Sequence, residues 1–447
     1  MVVIKKLAEA AVQSSDIDKA LYDKFNVKRG LRNGDFTGVL VGLTNIGNVV
    51  GYEKDAEGNT IPVHGRLYYR GYEITDLTRG FQAEGRHGFE EISYLLLAGK
   101  LPTKEELAEF DAIIKVEQEL PFSLSKNLIL SLRGRNVMNM LARTVLGLYT
   151  LDKDAEDYSP ENLVKQSISL IARFPVIVAY AYFAMRHSFQ HRSMVIRHPR
   201  PDLSLAANFL YMLKGDKFTA LEAEILDLAL VLHAEHGGGN NSTFTTRVVS
   251  SAQTDTYSSI AAALGSLKGE LHGGANMKVI GMMNDIKQNV KDWKDEAEVE
   301  AYLQKLLRKE GYDCSGKIYG IGHAIYTLSD PRCVLLKEKA GALAKEAGME
   351  DEFNLYQAVE RLAPEAFYKF KGGQRKTIAA NVDFYSGFVY KCIGLPEELY
   401  TPIFAIARVP GWAAHRIEEV TSSSARIIRP AYKSVTNQRV YVPMQKR

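Results

Sequence analysis

The sequence predicts a mainly α-helical protein of two domains, with a few short strands near the N-terminus. Three observations carry this expectation. Most segments place apolar residues at helical spacing, strand-like patterns are few and sit early in the chain, and 447 residues exceed what one ordinary core encloses.

The helical signal is clearest in 221–232, where Leu221, Ile225, Leu228 and Leu232 fall on one face with acids opposite. The segment 258–267 is rich in small residues, and Gly265 and Gly269 are four apart. That spacing suits either the close approach of a second helix or flexibility ahead of a turn. A second periodic stretch covers 276–286. The strand-like patterns are 38–41, 49–52 and 66–69, and the Asp/Gly/Asn-containing segment 55–59 reads as a turn between the last two. There is no repeat, low-complexity linker or heptad pattern.

The most apolar window, 174–185, is bounded by Arg173 and Arg186 and contains Pro175. It is too short to span a bilayer and reads as a core helix. The N-terminus lacks a sustained apolar stretch, so no signal peptide is expected. Cys314, Cys333 and Cys392 are an odd, scattered set. They argue against a disulfide framework or a cysteine-based zinc site, and for free thiols in a reducing cytoplasm. A net charge of +3 without a long basic run gives no nucleic-acid face. Small anionic substrates remain compatible, because a site needs only local arginines.

Three segments carry titratable side chains beside residues that break regular structure. They are Leu271-His272-Gly273-Gly274-Ala275-Asn276, Gly320-Ile321-Gly322-His323 and Asn381-Val382-Asp383-Phe384-Tyr385-Ser386-Gly387. Two histidines and a carboxylate that converge supply a base for one proton and two donors for developing negative charge, which suits making a carbon nucleophile beside a carbonyl. Gly273 and Gly274 leave His272 near a helix N-terminus, where the dipole favours a neutral imidazole. Gly320 and Gly322 let backbone approach a ligand closely, but the third glycine and preceding strand of a dinucleotide fingerprint are missing. Asp383 could equally serve as a helix N-cap. Arg332, in Ser329-Asp330-Pro331-Arg332, suits a carboxylate-bearing substrate. His233 and His236 could share a metal, yet the pattern is not His-Glu-x-x-His and nothing nearby completes a site, so no metal is expected.

The order, spacing and flanks of these motifs resemble the citrate synthase family. So do Gly38-Val39-Leu40-Val41-Gly42-Leu43-Thr44, Leu67-Tyr68-Tyr69-Arg70-Gly71-Tyr72, Leu95-Leu96-Leu97-Ala98-Gly99-Lys100-Leu101-Pro102-Thr103 and Gly411-Trp412-Ala413-Ala414-His415, and the likeness runs from about residue 31 to about residue 430. The resemblance implies a large helical, dimer-forming domain (1–275 and 384–447) and an inserted, mobile small domain (276–383) on the acyl-CoA side; the sequence tolerates this, since Gly273-Gly274 and Gly372-Gly373 could serve as hinges near the two crossings. It implies the condensation of acetyl-CoA with oxaloacetate that feeds the tricarboxylic acid cycle, with no cofactor beyond coenzyme A as substrate. By the same resemblance His272 is expected to stabilise the enol, His323 to polarise the ketone and protonate the alkoxide, and Asp383 to remove the methyl proton. His236, Asn240, Arg332, Arg408 and Arg429 are the expected oxaloacetate ligands, Arg429 reaching across a homodimer, and His233 is expected to be structural. The family often has a basic residue four or five positions after the Gly-x-Gly-His histidine; here Thr327 and Leu328 stand there. Lys369, Lys371, Arg375 and Lys376 are the alternative contacts to coenzyme A, or else a solvated charge run. The neighbouring reading is 2-methylcitrate synthase, which uses propionyl-CoA, and the distant one a non-catalytic dicarboxylate- or acyl-CoA-binding protein.

Overall fold

The structure, a computed structural model, describes residues 2–33, 37–372 and 378–446. Helices dominate it, as expected, and the strands β1 (Gly47–Lys54), β2 (Thr60–Tyr69) and β3 (Tyr72–Glu73) form one antiparallel sheet in that order. Asp55 closes the β1–β2 connection by accepting from the amides of Glu57 and Asn59, which makes 55–59 the expected turn. The segment 38–41 is not a strand. Gly38 makes an isolated bridge with Arg32, while Leu40 and Val41 are exposed and outside any ladder.

The helices that bear on function are α1 (Phe89–Ala98), α2 (Pro160–Phe189), α3 (Ala220–His233), α4 (Asn241–Ser250), α5 (Thr256–Leu267), α6 (Ala275–Asn289), α7 (Pro331–Glu346), α8 (Glu350–Phe370), α9 (Val382–Cys392) and α10 (Tyr400–Thr421). By Cα proximity the chain groups into two compact units. One holds Met1–Arg79, His236–Asn240 and Asn276–Cys392; the other holds Gly80–Glu235, Asn241–Ala275 and Ile393–Arg447.

In the first unit the hairpin lies directly against the backbone of 325–329. A Cβ on Gly51 would stand 2.4 Å from the Ile325 carbonyl, and one on Gly65 would stand 2.2 Å from the Ser329 carbonyl and 2.5 Å from Tyr326 Cδ1. The Gly65 amide donates to both the carbonyl and the hydroxyl of Ser329 at 3.2 Å. Glycine is required here for close approach.

The second unit is centred on α2. This helix has 30 residues, and 94% of its most apolar 18-residue window is buried. Its length alone would allow a membrane span, contrary to the short window read from the sequence; burial against protein is what makes it a core helix. Helix α3 begins with a capping box between Thr219 and Glu222. It is buried on more than the expected face, and Asp227, on the side expected to be polar, is 1% exposed. Its carboxylate accepts from the Gly88 and Phe89 amides at 2.6 and 3.2 Å, capping the start of α1. Burial, and then the nearby Glu90 carboxylate, push it well above the ordinary range. Gly265 has open space around its would-be Cβ, so it does not serve close helix packing.

Candidate active site

Two loops meet in the first unit and tie His323 to the start of α9. Ile321 and Ala380 form an isolated antiparallel bridge. The Gly322 amide donates to Ala379 at 2.8 Å and the Asn381 amide to Gly320 at 2.9 Å, while Asn381 Nδ2 donates to the Gly322 carbonyl at 2.9 Å. Gly320 and Gly322 have φ of +77° and +101°, and a Cβ on Gly320 would stand 2.8 Å from the Phe384 ring. The glycines therefore make backbone pairing possible. Asn381 Oδ1 accepts from the Asp383 amide at 3.0 Å, so Asn381 is the cap of α9 and Asp383 lies in its first turn.

The tautomer of His323 is set by its own loop. Nδ1 accepts from the amides of Ile325 and Tyr326, both at 3.1 Å, so the proton of the neutral ring sits on Nε2. Burial, and then the Arg332 guanidinium, lower its pKa to about 4. His236 meets the ring edge-on, with centroids 5.3 Å apart at 89°. Tyr326 stacks on it at 4.7 Å and 24°. Arg332 is 4% exposed and bound by Asp330 through Nε at 3.0 Å and Nη2 at 2.7 Å. Burial would raise the Asp330 pKa, but Arg332 outweighs it and holds it below the ordinary value. Asn240 lies beyond the end of α3, its amide donating to Gly237, whose φ is +81°.

The second unit holds the other imidazole. His272 lies in the turn between α5 and α6, where Ser242 meets Nε2 through its amide at 3.4 Å and its hydroxyl at 3.0 Å. The Trp412 indole N–H donates to the same hydroxyl oxygen at 3.2 Å. The amide can only donate, so Nε2 is the acceptor and Nδ1 carries the proton, the opposite tautomer from His323. The ring is neutral, as expected, but burial and then Arg408 are what lower its pKa to about 4. Arg408 is fully buried and donates Nε to the His233 carbonyl at 2.5 Å. His233 Nδ1 in turn bonds Ala229 in its own helix at 2.7 Å. The Phe404 ring gathers these groups, lying 4.6 Å from His233, 6.5 Å from His272 and 4.8 Å from the Arg408 guanidinium.

Behind α3, Arg247 Nε donates to His415 Nδ1 at 3.0 Å, and His415 Nε2 meets Glu235 at 3.0 Å. Gly411 makes room for α10 against the end of α3, since its Cβ would stand 2.3 Å from the Ala234 carbonyl.

Of the residues named from the sequence, His236, His323 and Arg332 thus gather around Tyr326, and Asp383 is joined to them through the bridge. His272 and Arg408 gather around Phe404. Arg429 lies apart in the exposed segment after α10, next to Ile428, whose amide donates to Ser251 at 3.1 Å. Lys369 is engaged by Glu300 at 2.5 Å. Lys371 follows α8 as its C-terminal cap residue; Arg375, Lys376 and the hinge residue Gly373 lie outside the described residues. Sequence reasoning did not single out Ser242, Tyr326, Asp330, Asn381 or Phe404. Asp330 and Asn381 carried a usable signal, a capping residue just ahead of a helix start. The other three did not, because their roles are long-range contacts.

The family model described as citrate synthase, C-terminal domain, matches residues 35–431. The chain is 40% identical over 343 residues to a citrate synthase of Deinococcus radiodurans, covering 76% of this chain and 84% of that one. It is 35% identical over 393 residues to a 2-methylcitrate synthase of Shewanella oneidensis, covering 87% and 94%. Among solved structures, a ternary complex of Thermoplasma acidophilum citrate synthase with carboxymethyl coenzyme A and oxaloacetate superposes with a TM-score of 0.75 at 29% identity, covering 94% of this chain and 99% of that one. Matched by the family model over residues 35–431 and sharing its architecture with a solved citrate synthase over 94% of its length, the chain is an acyltransferase-type enzyme that belongs to the citrate synthase family.

Proposed function

We propose that the enzyme is a citrate synthase that condenses acetyl-CoA with oxaloacetate and hydrolyses citryl-CoA to citrate and coenzyme A. The observation that carries this reading is the pair of neutral imidazoles with opposite tautomers, His323 presenting Nε2–H and His272 presenting Nδ1–H. The reaction develops charge on two oxygens, the thioester enol and the ketone, and each needs a neutral donor in place.

Oxaloacetate binds first, to His236, Asn240, His323, Arg332 and Arg408, with Arg429 supplied by the partner subunit in a homodimer. Residues 276–383 act as the mobile small domain and close over it, excluding water. The Asp383 carboxylate takes a methyl proton, the C–H electron pair becomes the C=C bond, and the thioester π pair moves to the oxygen, which the His272 Nδ1–H holds by a hydrogen bond. The oxygen pair then re-forms the thioester C=O as the C=C pair bonds to the ketone carbon, and the ketone π pair moves to its oxygen, which takes the His323 Nε2 proton. Water next adds to the thioester, the C–S bond breaks, and the thiol leaves with a proton. Lys369, Lys371, Arg375 and Lys376 are the proposed contacts for the coenzyme A phosphates. The reading requires no metal or further cofactor and fits a cytoplasmic enzyme with sparse free cysteines.

The test is oxaloacetate-dependent thiol release from acetyl-CoA and propionyl-CoA in parallel, on metal-free protein. Faster turnover with acetyl-CoA is the expected result. A preference for propionyl-CoA moves the assignment to 2-methylcitrate synthase, as the Shewanella relative's name would suggest. Absence of release from either thioester, by folded protein, leaves a binding protein.

A further inference from the structure

We propose that Tyr326 completes the oxaloacetate site: its ring sets the plane of the His323 imidazole, and its buried hydroxyl is held for an acceptor on the bound dicarboxylate. This rests on the reading of the site given above and adds a residue to it.

Tyr326 touches three of the groups assigned to oxaloacetate. It stacks on His323 at 4.7 Å and 24°, meets the edge of His236 at 5.6 Å and 73°, and lies 5.7 Å from the Arg332 guanidinium carbon. Its amide also donates to His323 Nδ1 at 3.1 Å. One residue therefore constrains the imidazole twice, fixing the tautomer through its backbone and the ring plane through its side chain. The fold makes room for this, since Gly65 of β2 lies where a Cβ would stand 2.5 Å from Tyr326 Cδ1.

The hydroxyl is the second, independent observation. Tyr326 is 1% exposed and its phenol oxygen has no hydrogen-bond partner among the described residues. Buried polar groups are nearly always bonded, and leaving one unmade is costly. Phenylalanine would fill the same space without that cost. A donor kept unpaired beside two imidazoles and a guanidinium suits a small, acceptor-rich anion, which is what a dicarboxylate is.

The experiment compares wild type, Tyr326→Phe and Tyr326→Leu by steady-state kinetics and by calorimetric titration with oxaloacetate. Tyr326→Phe keeps the stacking face; its oxaloacetate KM and Kd should rise about tenfold, with kcat within about twofold and acetyl-CoA KM unchanged. Tyr326→Leu loses the face as well, and its kcat should fall by a further tenfold or so even at saturating oxaloacetate. Wild-type oxaloacetate affinity in Tyr326→Phe overturns the role of the hydroxyl, and equal kcat in the two variants overturns that of the ring. If Tyr326→Leu fails to fold by thermal melting, the KM-against-kcat split in Tyr326→Phe still decides. Wild type that binds oxaloacetate without turnover sinks the citrate synthase reading while the Kd comparison still judges the hydroxyl; wild type that does not bind oxaloacetate overturns both.

Discussion

Asp330 grips Arg332 with both carboxylate oxygens, Oδ1 to Nε at 3.0 Å and Oδ2 to Nη2 at 2.7 Å, and the same Oδ2 accepts from the Val382 amide at 3.2 Å. One buried carboxylate thus holds the proposed substrate arginine and the first residue of the helix that carries Asp383. Arg332 Nη1 lies outside this pairing. Asp330→Asn leaves a buried guanidinium without its counter-charge. It should lower stability by about 3–5 kcal/mol, read as a shift in denaturation midpoint, and raise oxaloacetate KM.

The Ser242 amide sets the tautomer of His272 and the Ser242 hydroxyl positions the same ring nitrogen, so Ser242→Ala keeps the tautomer, removes the second contact and should act on the chemistry more than on binding. The expected loss is about 10- to 100-fold in kcat, corresponding to roughly 1–3 kcal/mol. Oxaloacetate Kd, measured by calorimetry, should stay near wild type. A loss of oxaloacetate binding with unchanged kcat would remove the positioning role.

Asp383 lies within the first turn of α9 and Asn381 is the cap, which separates the proposed base from the capping role. Asp383→Asn should therefore leave the fold and oxaloacetate binding close to intact while reducing turnover by about 10²- to 10⁴-fold. Circular dichroism and thiol release measured on the same sample check both halves of that statement.

Both imidazoles have pKa values lowered from 6.5 to about 4. The unfolded chain therefore binds more protons than the folded one between pH 6.5 and 4, and these two groups make stability fall as pH drops through that window. Neutral rings are also the working form in the proposed mechanism, so their contribution to the acid limb of kcat should lie near pH 4 and not near 6.5. A plateau through pH 6.5, with NMR titration of His272 and His323 well below it, is the expected result.

Gly65 lets β2 lie against the 326–329 backbone. Gly65→Ala places a methyl 2.2 Å from the Ser329 carbonyl, an approach that cannot be relieved by turning a side chain. The expected cost is about 1–3 kcal/mol of stability, and kcat should fall as well, because the displaced segment carries Tyr326.

The helical class and the short early hairpin were legible in the sequence, because they rest on periodicity and turn residues, and the segments around His272, His323 and Asp383 stood out as contiguous motifs. The strand expected at 38–41 failed because an alternating apolar pattern needs a neighbouring strand, which the pattern itself does not report. The acids of 221–232 misled for a related reason. Asp227 reads as solvent-facing until the amides of Gly88 and Phe89, more than a hundred residues earlier, are seen to bond it. In the candidate site the titratable residues were visible and their tautomers were not. Which nitrogen of His272 carries the proton depends on Ser242 and Trp412, and for His323 it depends on how the chain turns back after residue 323.

The bridge between Ile321 and Ala380 also bears on how this enzyme can change over time. The spacing of His323 and Asp383 is gauged by two backbone hydrogen bonds and one from the Asn381 side chain, and not by the length of chain that separates them. Substitutions in the stretch past α7 that spare the buried face of α8 leave that gauge untouched, whereas replacing α8 itself removes Tyr356 from Phe384 and Phe388 and so reaches the helix that carries Asp383.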